Sequence, residues 1–228
     1  MAAVKGSVIG HLSGKLGLLS ARTINGRTIM SARPASFKES TTQRHADIKK
    51  RFAVTIAFAA KISELPALLE IWKLNKNPGI SATNTIFQKN YNFSSEQVPT
   101  LNNIITPDGF GTPVTAAAIA AGKLTGTLAA MDTVAKITSD CKNLSINAVV
   151  CLSDPKVESD PVYKMLSVSK EVAAFQFTQS YNLEIDFDVE DAAEIAKYNQ
   201  KTIYLAVAIK SEDDQIVKYS KSYALISA

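Results

Sequence analysis

Gly10-His11-Leu12-Ser13-Gly14-Lys15-Leu16 is the segment that comes nearest to a phosphate-cradling loop. Such a loop needs four residues between its glycines and a Ser or Thr after the Lys to hold magnesium. Here three residues separate the glycines and Leu16 takes the hydroxyl position, so nucleotide hydrolysis is not expected. The two histidines, His11 and His45, have no Cys or His nearby at metal-ligand spacing. Cys141 and Cys151 lie in apolar, strand-like surroundings and read as buried small hydrophobes rather than as a disulfide or a nucleophile. Asp186, Asp188 and Glu190 alternate as calcium ligands can, but the loop glycine and the distal Glu are missing. On a strand, alternate carboxylates point the same way without wrapping an ion, so they read as a solvated acidic face. No G-x-S-x-G elbow is present. No catalytic residue, cofactor, metal or small-molecule substrate is therefore expected.

Charge is the stronger signal. The net charge of +4 over 228 residues is the sum of two unequal parts. Residues 1–51 hold ten basic and two acidic side chains, a balance of +8, and the remaining 177 a balance of −4. A basic segment joined to an acidic body fits a polyanion or an acidic protein surface as partner. Arg22, Arg27, Arg33, Lys49, Lys50 and Arg51 are the candidate contacts on the basic side. Glu184, Asp186 and Asp188 are the candidates on the acidic side.

The elements that would carry these residues follow from periodicity. Thr23 to Met30 reads as a hairpin about Asn25-Gly26, a strong two-residue turn signal. Ser40-Thr41-Thr42-Gln43 fits a capping box with Ser40 as N-cap. Ile48, Phe52, Ile56, Ala59, Ile62 and Leu65 then form one apolar helical stripe, which Pro66 should kink or restart and which Leu69 and Trp72 continue. From residue 80 the period becomes two. Strands are expected near 83–91, 98–106, 122–129, 146–153, 161–168, 172–178, 181–187, 201–210 and 215–226, with a short helix from Val189 to Tyr198. The expected fold is mainly β with one long N-terminal helix (α+β). It divides into an extended basic arm with a short hairpin (1–40), a kinked amphipathic helix (41–76) and an antiparallel immunoglobulin- or fibronectin-like β-sandwich (80–228). No segment reads as a membrane span or a signal peptide.

Gly14-Lys15-Leu16-Gly17, Gly26-Arg27-Thr28-Ile29-Met30-Ser31-Ala32-Arg33-Pro34, Thr42-Gln43 and Arg51-Phe52 resemble the start of a family of small Bacteroidota proteins of uncharacterised activity. In that family a G-K-x-G segment precedes a basic strand pair ending in R-x-x-P and then a helix. The strands Tyr204-Leu205-Ala206-Val207 and Val217 to Ile226 resemble its C-terminal half. The chain departs from the family at Ile24-Asn25-Gly26, where an aromatic-Lys-Gly is usual. The resemblance implies a sandwich scaffold and supplies no catalytic residue to map.

The function expected from these readings is non-enzymatic. The protein would be a structural component of a phage or phage-like virion, made in the cytoplasm, that binds neighbouring subunits through its basic arm. A nucleic-acid-binding accessory protein and a surface adhesin are the alternatives.

Overall fold

The computed structural model describes residues 2–4, 13–24, 26–34, 36, 41–120 and 122–227. Contacts divide the chain into Met1–His45 and Ala46–Ala228. In the first unit, β1 (Ala2–Val4), β2 (Gly14–Leu16), β3 (Leu19–Ile24) and β4 (Arg27–Ala32) form an antiparallel sheet of order β1-β4-β3-β2. This corrects the expectation of an extended arm with one hairpin. The expected hairpin is its centre: the register closes at Ile24 opposite Arg27, and Gly26 adopts φ 73°, which the tight turn requires. Asn25 of that turn, Ser40 of the expected cap, and Gly10 to Leu12 lie outside the described residues.

Three helices follow: α1 (Gln43–Glu64), α2 (Pro66–Asn75) and α3 (Ala82–Asn90). The single kinked helix of the sequence reading is two helices bent by 108°. Leu65 is extended and Pro66 opens α2, where its missing N–H costs nothing. The helix α3 replaces the strand expected at 83–91. There the Ser81 hydroxyl caps the Asn84 amide at 3.2 Å, and Ala82, Ile86 and Asn90 bury one helical face.

The strand expected at 98–106 is a loop. Its polar backbone is met by buried amides instead of a ladder. The Asn90 side chain accepts from Ile104 N at 2.7 Å and donates to Ile104 O at 3.0 Å. Trp72 Nε1 donates to Ile105 O at 2.8 Å.

The remaining strands make two antiparallel sheets. One orders β5 (Val114–Ala120), β6 (Lys123–Leu128) and β9 (Tyr181–Asp186) as β5-β6-β9. The other contains β7 (Asn143–Pro155), β8 (Tyr163–Val172), β10 (Tyr198–Lys210), β11 (Ile216–Tyr219) and β12 (Tyr223–Ser227). Its order is β11-β10-β7-β8, with β12 also on β10. The helix α4 (Val189–Ala196) connects β9 to β10, where the sequence placed a helix. The expected strands at 161–168 and 172–178 are one strand and a turn containing Ala174 at φ 50°.

The expected strand 215–226 is two strands. Between them Phe110 bridges Ser220, and the Ser222 hydroxyl accepts from Ile105 N at 2.8 Å and Thr106 N at 2.9 Å. Gly109 permits that approach, since a Cβ there would lie 2.4 Å from Tyr219 O.

Alternate residues of β7 and β10 enter different cores. Ile146, Ala148, Val150, Ile203, Leu205 and Val207 meet Leu124, Leu128, Leu183 and Ile185 of the three-stranded sheet. Val149, Cys151, Tyr204, Ala206 and Ala208 meet Phe58, Ile62, Leu68, Ile71 and Trp72 of the helices. Burial on both faces explains why Ile203 to Ile209 is uniformly apolar. The helices therefore share a core with the strands, within the unit Ala46–Ala228.

Candidate partner interface

Residues opposite each other in paired strands share a face. The register sets Lys15 against Ser20, Arg22 against Ile29, and Ile24 against Arg27. Lys15, Arg22 and Arg27 therefore stand on one face of the N-terminal sheet, all exposed, with Ile24 and Ile29 between them. Ser20 Oγ and Ser31 Oγ, 3.3 Å apart, tie the strands on that face. Arg33 follows β4, exposed, with its backbone amide donating to Leu18 O at 2.7 Å. The opposite face contains Ala21 and Thr28, which are the buried residues among those described up to His45.

The basic run on α1 divides. Lys49 and Lys50 are exposed, while the half-buried Arg51 donates from Nη2 to Glu96 Oε1. That hydrogen bond holds the Glu96 carboxyl below the usual carboxylate range. The apolar stripe of α1 is only partly used. No residue from Gln43 to Ala53 is buried, whereas Val54, Thr55, Phe58, Ala59 and Ile62 are. Ile48 and Phe52 stay 46% and 51% exposed, and the Phe52 ring rests 4.8 Å from Phe87.

The acidic set also divides. Glu184 and Asp186 face outward on β9, and Lys123, on the adjoining strand, pairs with both, at 3.1 Å to Asp186. Hydrogen bonding to Glu184 and then to Asp186 raises the Lys123 pKa. Lys170 Nζ adds a hydrogen bond to Glu184 O at 2.7 Å. Asp188 caps α4, its carboxylate accepting from Asp191 N at 2.7 Å. The structure thus groups Arg22 with Arg27 and Glu184 with Asp186, and gives Asp188 a local task.

Sequence reasoning missed Lys123 as the counter-charge, because only the pairing of β6 with β9 sets Lys123 opposite Asp186. Among the described residues, no three His, Cys, Asp or Glu side chains converge on a point that could hold a metal ion. Both cysteines are free and buried, and burial pushes the Cys151 thiol up to about 12. No single helix among the described residues is long and apolar enough to cross a membrane.

The class these features define is a mixed α+β protein of mostly antiparallel sheets. Models of known protein families and the curated proteins yield no match to the chain.

Proposed function

We propose that this protein is a non-enzymatic assembly component that binds neighbouring subunits through its N-terminal sheet, in a virion or comparable particle. On this reading the two sheets that share a core are an immunoglobulin- or fibronectin-like sandwich, a scaffold that hosts many functions, and form the rigid body of the subunit. One observation carries the reading. The N-terminal sheet exposes Leu18 at 77% in the β2–β3 turn, Leu19 at 38% on one face and Ile24 at 45% on the other, apolar side chains that a neighbour on either face would remove from water. Its outer strands β1 and β2 supply edges to which a neighbour's strand can add.

Sedimentation equilibrium of the full chain tests this. An oligomer that loses subunits in the Arg22→Glu/Arg27→Glu double variant supports it, because charge across an interface sets register and association. A wild-type monomer overturns it.

A second reading has its own observation, the alignment of Lys15, Arg22 and Arg27 on one face. In that reading the sheet lies against a nucleic-acid backbone. Binding to duplex DNA would then weaken steeply between low and physiological salt, by about one power of the salt concentration per phosphate contacted.

A further inference from the structure

A groove of about 430 Å³ is lined by two loops, one carrying Asp108 and Phe110 and the other Val134 and Lys136, with Tyr219 of β11 also in its wall. Each loop is pinned to β11. Phe110 N donates to Tyr219 O at 3.0 Å, and Phe110 O accepts from Lys221 N at 2.8 Å. Lys218 Nζ holds the other loop, donating to Ala135 O at 2.8 Å and also to Lys136 O. Within that loop Ala135 N donates to Met131 O at 2.9 Å, and Lys136 leaves the turn at φ 48°. Walls fixed in this way lose little freedom when a partner arrives.

The ammonium of Lys218 is spent on those carbonyls. Asp108 and Lys136 are exposed and make no ion pair among the described residues, although both line the groove. Val134 beside Lys136 is 49% exposed, and Phe110 and Tyr219 are half-buried. One groove therefore presents an anion, a cation and apolar side chains together. Such a surface is complementary to itself. A polyanion would be repelled at Asp108 and a polycation at Lys136.

We propose that a second copy of this chain docks here, across a two-fold axis lying along the groove. Each loop of one copy then faces the other loop of its neighbour, as a self-complementary contact requires. Lys136 of each copy meets Asp108 of the other, and Val134 of each packs against Phe110 and Tyr219 of the other. The proposal rests on the self-association reading above but uses a surface of the unit Ala46–Ala228 instead of the N-terminal sheet.

Sedimentation equilibrium of the full chain in about 50 mM salt, where exposed charges are weakly screened, decides it. Asp108→Lys and Lys136→Asp should each weaken dimerisation at least tenfold, and the two together should restore it to near the wild-type value. Aspartate is among the side chains that tolerate a positive φ, so Lys136→Asp suits the turn. Val134→Ser, which leaves the charges untouched, should weaken dimerisation as well. Single variants with wild-type association, or a charge swap that fails to restore it, overturn the contact. Association that survives these variants but is lost in Arg22→Glu/Arg27→Glu overturns this contact and leaves the N-terminal reading standing. The reverse pattern overturns the N-terminal reading alone, and a wild-type monomer overturns both.

Discussion

Cys151 lies inside β7, 1% exposed, in the core that joins the central sheet to the helices. Removing its proton would place an anion among apolar side chains, so burial lifts the thiol from an ordinary 9.0 to about 12. Below pH 9 the folded and unfolded thiols are both protonated, and the group adds no pH dependence. Between pH 9 and about 12 the unfolded thiol releases a proton that the folded one keeps, so stability falls as pH rises. The slope from one such group approaches about 1.4 kcal/mol per pH unit. Tyr204, raised by burial from 10.0, adds to the same alkaline loss at higher pH. Urea midpoints measured from pH 7 to 11 should hold level and then decline, and Cys151→Ala should show the shallower decline. An equal slope in both proteins would mean that the thiol is solvated.

At the scale of elements, α1 is one helix with two environments. From Val54 onward it packs against Leu68, Ile71, Trp72 and the sheet residues of its core, but none of its first eleven residues is fully buried. Three turns steadied by the Phe52–Phe87 contact and the Arg51–Glu96 pair, without a buried face, are marginal in water, because helix stability in proteins comes chiefly from such a face. Amides of residues 47–53 should therefore exchange with deuterium at least tenfold faster than those of residues 58–64, and protection spreading into the earlier turns would indicate a bound partner.

The elements read correctly from sequence are those whose pattern is answered locally. The Asn25-Gly26 hairpin has its turn residues, β9 alternates apolar and acidic residues, and α4 carries its own Asp188 cap. The misread ones are decided at a distance. The loop 98–106 is apolar like a strand but bonds to Asn90, Trp72 and Ser222. The Ala-rich β5 has too little side chain to show a period, and its pairing with β6 is what makes it a strand. The same limit applied to the candidate site. The charges on β3 and β4 could be placed on one face from hairpin register alone, whereas Lys123 acquires its meaning only from Glu184 and Asp186 on the strand the fold sets beside it.

For the unit Ala46–Ala228, the central sheet is shared property. Tyr204 and Leu205 are adjacent in β10, yet Tyr204 packs on Phe58 at a ring distance of 4.9 Å while Leu205 enters the core between the two sheets. Neither core can be lost without removing one wall of the other, so the two should melt together. Trp72, 1% exposed among the helices, reports on one core, and a substitution in the other can be read through it. Leu205→Ala removes a fully buried side chain from the far side of the sheet, at a cost of about 2–5 kcal/mol. In a single cooperative unit the Trp72 fluorescence midpoint in urea should fall by the same amount as the far-ultraviolet circular dichroism midpoint. If the Trp72 transition stayed in place while the dichroism signal shifted, the helical layer would be folding independently of the sheets. The rigidity of the corner formed by α1, β8 and α4 would then have to come from its own ion pairs, Lys164 with Glu194 and Lys197 with Glu194, which are exposed pairs worth little alone. A shared core is the stronger support, since Val54 of α1 and Met165 of β8 lie in one core and Ile195 of α4 in the other.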